Sequence, residues 1–362
     1  MKGVAFIGDR RLAWLDVADP SPGLGEVVVE IKASGMCGSD LHTYRTPHDS
    51  AKGMDRYFIG GHEPCGVVVA VGAGVPRHAA KIGDRVMVHH YHGCTTCEHC
   101  RTGWPQLCKP SNRTVYTVNA HGAHAPYMKV PASTLVPLHN GLSYEAGAAI
   151  ACGTGTAWGA LERLQPGGDE TIAVFGQGPV GLSVTMLAAA RGNRVIAIDL
   201  DEDRLALAKA FGAHAALNAG QTDVGQALRE LTGGNGVEMV VETSGSSAAA
   251  AAGLSATAVW GKVCMVGIGA TLGLELRTML DRQVTVMTSY SMSLVGQKDC
   301  ADFVVKRQLD LDRLFTHRWR LDQAEEAYML FDNQSSGKAI ISAVLPSLLP
   351  SGRLENIILI KI

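Results

Sequence analysis

Apolar and polar positions along the chain follow three regimes. Up to about residue 141 the apolar residues come in short β-branched runs, "EVVVEIKASG" from Glu26, "GVVVAVGAGV" from Gly66 and "DRVMVHH" from Asp84, each bounded by Gly, Pro or Asp. Runs of that length and composition predict strands joined by turns. From Leu142 the spacing becomes helical in "LSYEAGAAIACGTGTAWGALERL", which Pro166-Gly167-Gly168 ends. Beyond it, strands and helices alternate. "TIAVFG", "RVIAID", "AALN", "VEMVVETSG", "GKVCMVGIG" and "QVTVMTSYS" are strand candidates. "PVGLSVTMLAAARG", "DEDRLALAKAFG" and "DVGQALRELTGG" are helix candidates. Six strands alternating with helices predict an α/β fold, a doubly wound parallel sheet of the Rossmann type. After about Ser291 the alternation stops, leaving a helix in "LDQAEEAYMLFDN" and a strand in "GKAIISAVL".

The glycine pattern gives that sheet a job. Gly176-Gln177-Gly178-Pro179-Val180-Gly181 follows the first strand of the alternating region and opens its first helix. Glycines there permit a tight turn and close backbone approach, and the helix N-terminus faces a pyrophosphate. Asp199 ends the next strand, where a carboxylate accepts hydrogen bonds from a ribose diol and repels a 2′-phosphate. The expected cofactor is NAD rather than NADP. Arg204 is placed either beside the adenosine ribose or on an ordinary helix surface.

Composition narrows the class further. The chain has 362 residues, 46% of them hydrophobic, enough for two domains with their own cores. A formal net charge of -2 argues against nucleic acid as the main partner. "MKGVAFIGDRR" lacks a secretory core, and apolar runs such as "LSVTMLAAA" fall short of a membrane span, so a cytoplasmic protein is expected. The tail from Pro346 ends in the β-prone "NIILIKI".

Nine cysteines are an odd count, and Cys94, Cys97, Cys100 and Cys108 crowd into "CTTCEHCRTGWPQLC". Reduced thiols so close suit tetrahedral zinc; an iron–sulfur cluster or a redox pair is the alternative that spacing leaves open. Four protein ligands close a zinc site, which makes it structural. A second set is dispersed. Cys37 lies in "GMCGSDLH", His62 in "GGHEPCG" and Cys152 in "ACGTGTAWGAL", where the two halves of the chain meet. Cys, His and Cys with one open position form a known catalytic zinc set.

With these motifs together, the sequence resembles the zinc-dependent alcohol dehydrogenases of the medium-chain dehydrogenase/reductase superfamily. "GMCGSDLH", "GHEPCG", the four-cysteine lobe, "CGTGTAWGA", "GQGPVG" and "SSGKAIISAV" carry the resemblance from the first strand to about Leu345. It implies a GroES-like, mainly β catalytic domain over 1–153 and 291–362, with the zinc lobe at about 93–109, and a Rossmann domain over 154–290. It implies two zincs per chain, one catalytic on Cys37, His62 and Cys152 and one structural on the four lobe cysteines. Glu63 is implied as a transient ligand and Asp40 as the carboxylate orienting the zinc histidine. Ser39 and His42 match the proton relay, and Thr156 a nicotinamide contact. The implied activity is reversible hydride transfer between a small alcohol and NAD, in a homotetramer or homodimer pairing near Val284 to Tyr290.

The sequence also departs from relatives. Cys152 stands where polyol and threonine dehydrogenases usually carry an "EPL"-type motif, which favours alcohol dehydrogenases proper over polyol or formaldehyde enzymes. Gly38 and Ile341 replace pyrophosphate-binding arginines of some animal members, so phosphate grip must rest on backbone amides. His90, in "VHHYHGC", is either part of the substrate wall or a solvated loop residue. A catalytically silent NAD- or zinc-binding module is the rival from another class.

Overall fold

The computed structural model describes residues 1–49, 53, 56–333 and 337–342. The tail and Ser335-Ser336 of the closing motif lie outside the described residues.

Strands Thr171–Phe175, Arg194–Asp199, Ala215–Asn218, Val237–Glu242, Thr257–Met265 and Thr285–Thr288 form one sheet, every neighbouring pair parallel. Counted along the chain, their spatial order is third, second, first, fourth, fifth, sixth. "TIAVF" is buried throughout and "VEMVVE" nearly so, as parallel strands covered on both faces must be. The order reverses between Thr171–Phe175 and Val237–Glu242, and ligands of such sheets bind in the crevice beyond the strand C-termini there.

The other sheet is mostly antiparallel. Strand Glu26–Gly35 pairs with Glu63–Val71, with Tyr127–Pro131 and, at its end, with Lys338–Ser342. Its alternating valines, Val27 and Val29, join Val68, Val86, Val88, Met128 and Val130 in a dry core. Lys338–Ser342 lies parallel to Phe315–Arg320, which brings the last described strand back into the first half of the chain. The segment 93–108 protrudes as a lobe of short helical turns.

Among the described residues five helices fall where the sequence reading assigned none: Gly38–Arg45, Glu98–Arg101, Ser247–Ala256, Leu276–Arg282 and Leu294–Lys306. Gly38–Arg45, Glu98–Arg101 and Leu276–Arg282 span about two turns or fewer, too short for a periodic signal, and the alanine run of Ser247–Ala256 carries no apolar–polar contrast. The single helix expected over 142–164 is two, Tyr144–Ala151 and Gly153–Leu164. Cys152 separates them with φ -144 and ψ -78, ending one helix and capping the next. The strand expected at "GKVCMVGIG" begins four residues earlier, at Thr257, and carries a bulge before Lys262. Among the described residues no helix is long and apolar enough to cross a membrane.

Candidate metal centre and cofactor cleft

The break at Cys152 has a chemical consequence. It turns the thiol to within 3.9 Å of the Sγ of Cys37, which lies two residues past strand Glu26–Gly35 and caps helix Gly38–Arg45. His62 and Glu63 arrive from the start of the neighbouring strand, and one ligand atom from each of Cys37, His62, Glu63 and Cys152 falls within 4.8 Å of the others. Two sulfurs on a tetrahedral zinc at about 2.3 Å stand about 3.8 Å apart. The observed spacing fits that ion.

Asp40 Oδ1 lies 3.0 Å from His62 Nδ1. An ionised carboxylate only accepts, so Nδ1 carries a proton and Nε2 is the nitrogen left for a metal. Burial opposes a charged imidazole, but Asp40 and Cys37 outweigh it and hold His62 well above its ordinary value. Burial raises Asp40, and His62 outweighs it, leaving that carboxyl low. The thiols split: the contact with Cys152 drives Cys37 well down, while the contact with Cys37 drives Cys152 up. One thiolate, one thiol and one histidine make a ligand set for a soft dication once the thiol and the second ring proton have left.

Glu63 is fully buried. Burial pushes its carboxyl up to about 7 against the opposing pull of Lys338, whose Nζ lies 2.5 Å from Oε2. Its Oε1 accepts no hydrogen bond among the described residues. Gly35 makes room for this pair, since a Cβ there would stand 1.8 Å from Glu63 Oε2. Lys338 also donates to the Met36 carbonyl at 3.2 Å. Sequence reading missed Lys338; its one signal is a cation inside the otherwise apolar "KAII".

Ser39 Oγ is 3.3 Å from Cys37 Sγ and 3.2 Å from His62 Nε2. His42, three residues on along the same helix, faces solvent. His90 is buried, not a solvated loop residue: its ring lies 5.2 Å from that of His62 and its Nδ1 lies 3.1 Å from the Ala151 carbonyl. That carbonyl takes the Nδ1 proton, and burial keeps the ring neutral.

The glycine loop sits beside this cluster. Gly178 caps helix Pro179–Arg191, with Pro179 at its first position and Val180 partly exposed. Gly181 packs so closely that a Cβ would meet the Gly176 oxygen at 1.7 Å. A Cβ built on Gly153 would lie 4.0 Å from Val180 Cγ2 and 4.0 Å from Glu63 Oε1. Loop and ligand cluster therefore adjoin each other across Gly153. Thr156 lies one turn beyond Cys152, its amide bonded to the Cys152 carbonyl. Asp199 Oδ2 accepts from the Gln177 amide at 2.5 Å and Oδ1 from the Leu200 and Asp201 amides at 2.7 and 3.1 Å. Arg204 Nη1 approaches Oδ1 to 3.8 Å. Ile341 is buried in the core of the antiparallel sheet.

In the lobe, one sulfur from each of Cys94, Cys97, Cys100 and Cys108 falls within the same 4.8 Å limit, and Cys97 and Cys108 stand 4.0 Å apart. Hydrogen bonds from Thr96 hold Cys94 down at about 5, and burial pushes Cys100 up to about 12. The lobe grips the chain returning from the parallel sheet: Gln106 Nε2 donates to the Met292 carbonyl at 2.7 Å, and the Leu294 amide to Gly103 at 2.8 Å.

Comparison with known proteins agrees with both halves. Residues 23–140 match the alcohol dehydrogenase GroES-like domain, and residues 179–307 match the zinc-binding dehydrogenase family. The zinc-type alcohol dehydrogenase-like protein YphC of Escherichia coli (strain K12) is 37% identical over 92% of this chain and 96% of its own. The chain belongs to the zinc-type alcohol dehydrogenase family of the medium-chain dehydrogenase/reductase superfamily. Sorbitol dehydrogenase of Bacillus subtilis (strain 168) is 31% identical to this zinc-type dehydrogenase over 90% of the chain and 92% of its own. Among solved structures, the alcohol dehydrogenase TADH from Thermus sp. ATN1 superposes with a TM-score of 0.84 at 29% identity, covering 94% of this chain and 99% of its own. The protein is thus an oxidoreductase built as a Rossmann sheet with a GroES-like unit.

Proposed function

We propose that the protein interconverts an alcohol and its aldehyde or ketone with NAD, at a zinc held by Cys37, His62 and Cys152, and that a second zinc on Cys94, Cys97, Cys100 and Cys108 is structural. The observation that carries this is the adjacency of loop and ligand cluster, since Gly153 lies against both the cluster and the start of the glycine-loop helix. When bound, zinc lowers the pKa of the substrate hydroxyl and NAD takes the hydride.

The protein's own residues supply position and a proton path. Asp40 fixes the His62 tautomer. Ser39 would take the hydroxyl proton and hand it through a cofactor ribose hydroxyl to His42, which is exposed and would pass it to solvent. Glu63 is poised as a further ligand, with Lys338 as its counter-ion. Amides of Gly178 and Gly181, at the N-terminus of helix Pro179–Arg191, receive the pyrophosphate, while the Gly176 amide, bonded to the Ile198 carbonyl at 2.8 Å, fixes the turn before them. Asp199 takes the adenosine ribose, Arg204 flanks it, and Thr156 contacts the nicotinamide. The working division is 1–153 with 291–362 around the metal and 154–290 around the cofactor. The open sheet edge at Thr285–Thr288, beside exposed Leu276 and Leu280, suits pairing with a second copy. All nine cysteines are free, which fits a reducing cytoplasm.

A second reading concerns substrate. His90 Nε2 is an acceptor beside the metal cluster, able to receive a hydrogen bond from another hydroxyl or an ammonium. It favours a polyol or amino alcohol, and sorbitol dehydrogenase and L-threonine 3-dehydrogenase are among the relatives. An NAD-coupled absorbance screen of primary, secondary, aromatic, amino and polyhydroxy alcohols decides between the readings. No turnover of any alcohol by zinc-replete protein would leave the silent module.

A further inference from the structure

Behind the metal-binding histidine, the buried polar chain runs further than the relay uses. Asp40 Oδ2 accepts from the Cys37 amide at 2.9 Å and from the Tyr328 hydroxyl at 3.0 Å. The Tyr328 oxygen lies 2.7 Å from His124 Nε2, and His124 Nδ1 lies 2.9 Å from Ser34 Oγ. Ser34, Asp40, His124 and Tyr328 are all at most 3% exposed, so none of these groups has water as an alternative partner.

Chemistry fixes the direction of every bond. The carboxylate can only accept, so Tyr328 donates to Asp40. The Tyr328 oxygen then accepts from His124 Nε2–H, and Nδ1 accepts from the Ser34 hydroxyl. Burial keeps the His124 ring neutral at physiological pH, near 4, as a single tautomer of that kind requires. Packing holds the ring of Tyr328 between Phe6 at 4.9 Å, Tyr44 at 5.8 Å and His124 at 5.7 Å. Its helix, Ala324–Asp332, is tied to helix Gly38–Arg45, which bears Ser39 and Asp40: Arg45 Nη2 donates to the Asp332 carbonyl at 3.0 Å.

We propose that Tyr328 and His124 are positioning residues for the metal centre, holding Asp40 against His62 so that this ligand keeps its lone pair aimed at the ion. The inference rests on reading Cys37, His62 and Cys152 as that centre. Asp40 then has a fixed orientation set from a helix 288 residues away, rather than from its own turn alone. Partners of this outer kind typically change metal affinity by about 10- to 100-fold when removed.

The test compares Tyr328→Phe and His124→Gln with the parent, and uses Tyr44→Phe as a control that loses a hydroxyl from the same aromatic cluster. Each protein is purified with zinc, its metal loss to a chromogenic chelator is timed, and the visible spectrum of its cobalt-substituted form is recorded. Tyr328→Phe and His124→Gln should release the faster-leaving metal about 10- to 100-fold sooner and shift the cobalt bands, with Tyr44→Phe like the parent. Parent-like release and spectra in both variants overturn the proposal, as does an equal change in Tyr44→Phe. Should Tyr328→Phe not fold, His124→Gln decides alone. His62→Ala keeps the two ideas apart. If it costs no metal, the reading of the centre itself fails; if it costs one while the two variants behave as parent, only this proposal fails.

Discussion

Asp199→Asn probes cofactor choice with little change of shape. In the parent the carboxylate accepts three backbone amides, from Gln177 in the glycine loop and from Leu200 and Asp201. An amide keeps one acceptor oxygen, so one side must turn an NH2 group toward a backbone N–H. Leaving a buried donor unpaired costs about 1–3 kcal/mol, and the contact at risk holds the loop that receives the pyrophosphate. NAD should therefore bind less well, by about tenfold or more, since each 1.4 kcal/mol is tenfold. For NADP a second effect enters. A 2′-phosphate about 4 Å from the carboxylate meets repulsion of about 4 kcal/mol at an effective dielectric near 20. Asparagine removes it and leaves Arg204, 3.8 Å from Asp199 in the parent, as a nearby cation. The ratio of kcat/KM for NADP over NAD should rise by at least about a hundredfold, with most of the rise in the KM for NADP. Steady-state kinetics with both cofactors on parent and variant measure it. A parent that already prefers NADP, or a ratio that does not move, refutes the reasoning.

Cys97→Ala should remove one zinc per chain and lower Tm, and amide exchange should quicken over 289–294, the segment that Gln106 and Gly103 hold; unchanged exchange and metal content would contradict a structural lobe. Lys338→Met strips Glu63 of its counter-ion inside the core, at a cost of about 3–5 kcal/mol while Glu63 stays ionised. Glu63 already sits near 7, so the variant's deficit should grow as pH rises through that value and shrink below it, where the carboxyl is protonated. Melting curves from pH 6 to 8, with Glu63→Gln/Lys338→Met as the expected rescue, check this, and a pH-independent deficit counts against it.

What the sequence disclosed follows from how far apart the cooperating residues lie. The glycine loop and the four lobe cysteines are each close in sequence, so their grouping could be read from local spacing, and the structure does gather the four thiols. The six strands of the parallel sheet were legible too, because buried strands read as continuous apolar runs, whereas their spatial order came from the fold. Cys37, His62 and Cys152 share no spacing, and it was their motifs, taken with the family resemblance, that pointed to a set; the 3.9 Å between the thiols belongs to the fold. Lys338, Tyr328 and His124 were invisible for a stronger reason. Lys338 is one cation in an apolar strand, Tyr328 one ring on a helix of mixed polarity and His124 a residue of the loop before strand Tyr127–Pro131, and only the packed structure supplies the partners that explain them. The break at Cys152 was missed because Cys and Gly, unlike Pro, do not forbid a helix to continue.

The central claim is that the dispersed cluster binds the working zinc while the lobe binds another. Elemental analysis of Cys152→Ala beside the parent, with NADH binding followed by fluorescence and turnover on the best alcohol of the screen, tests it most directly. The account predicts two zincs per chain in the parent, one in the variant, no turnover in the variant, and NADH binding retained because the glycine loop is untouched. A variant that keeps both zincs, or keeps the parent's rate, would contradict it.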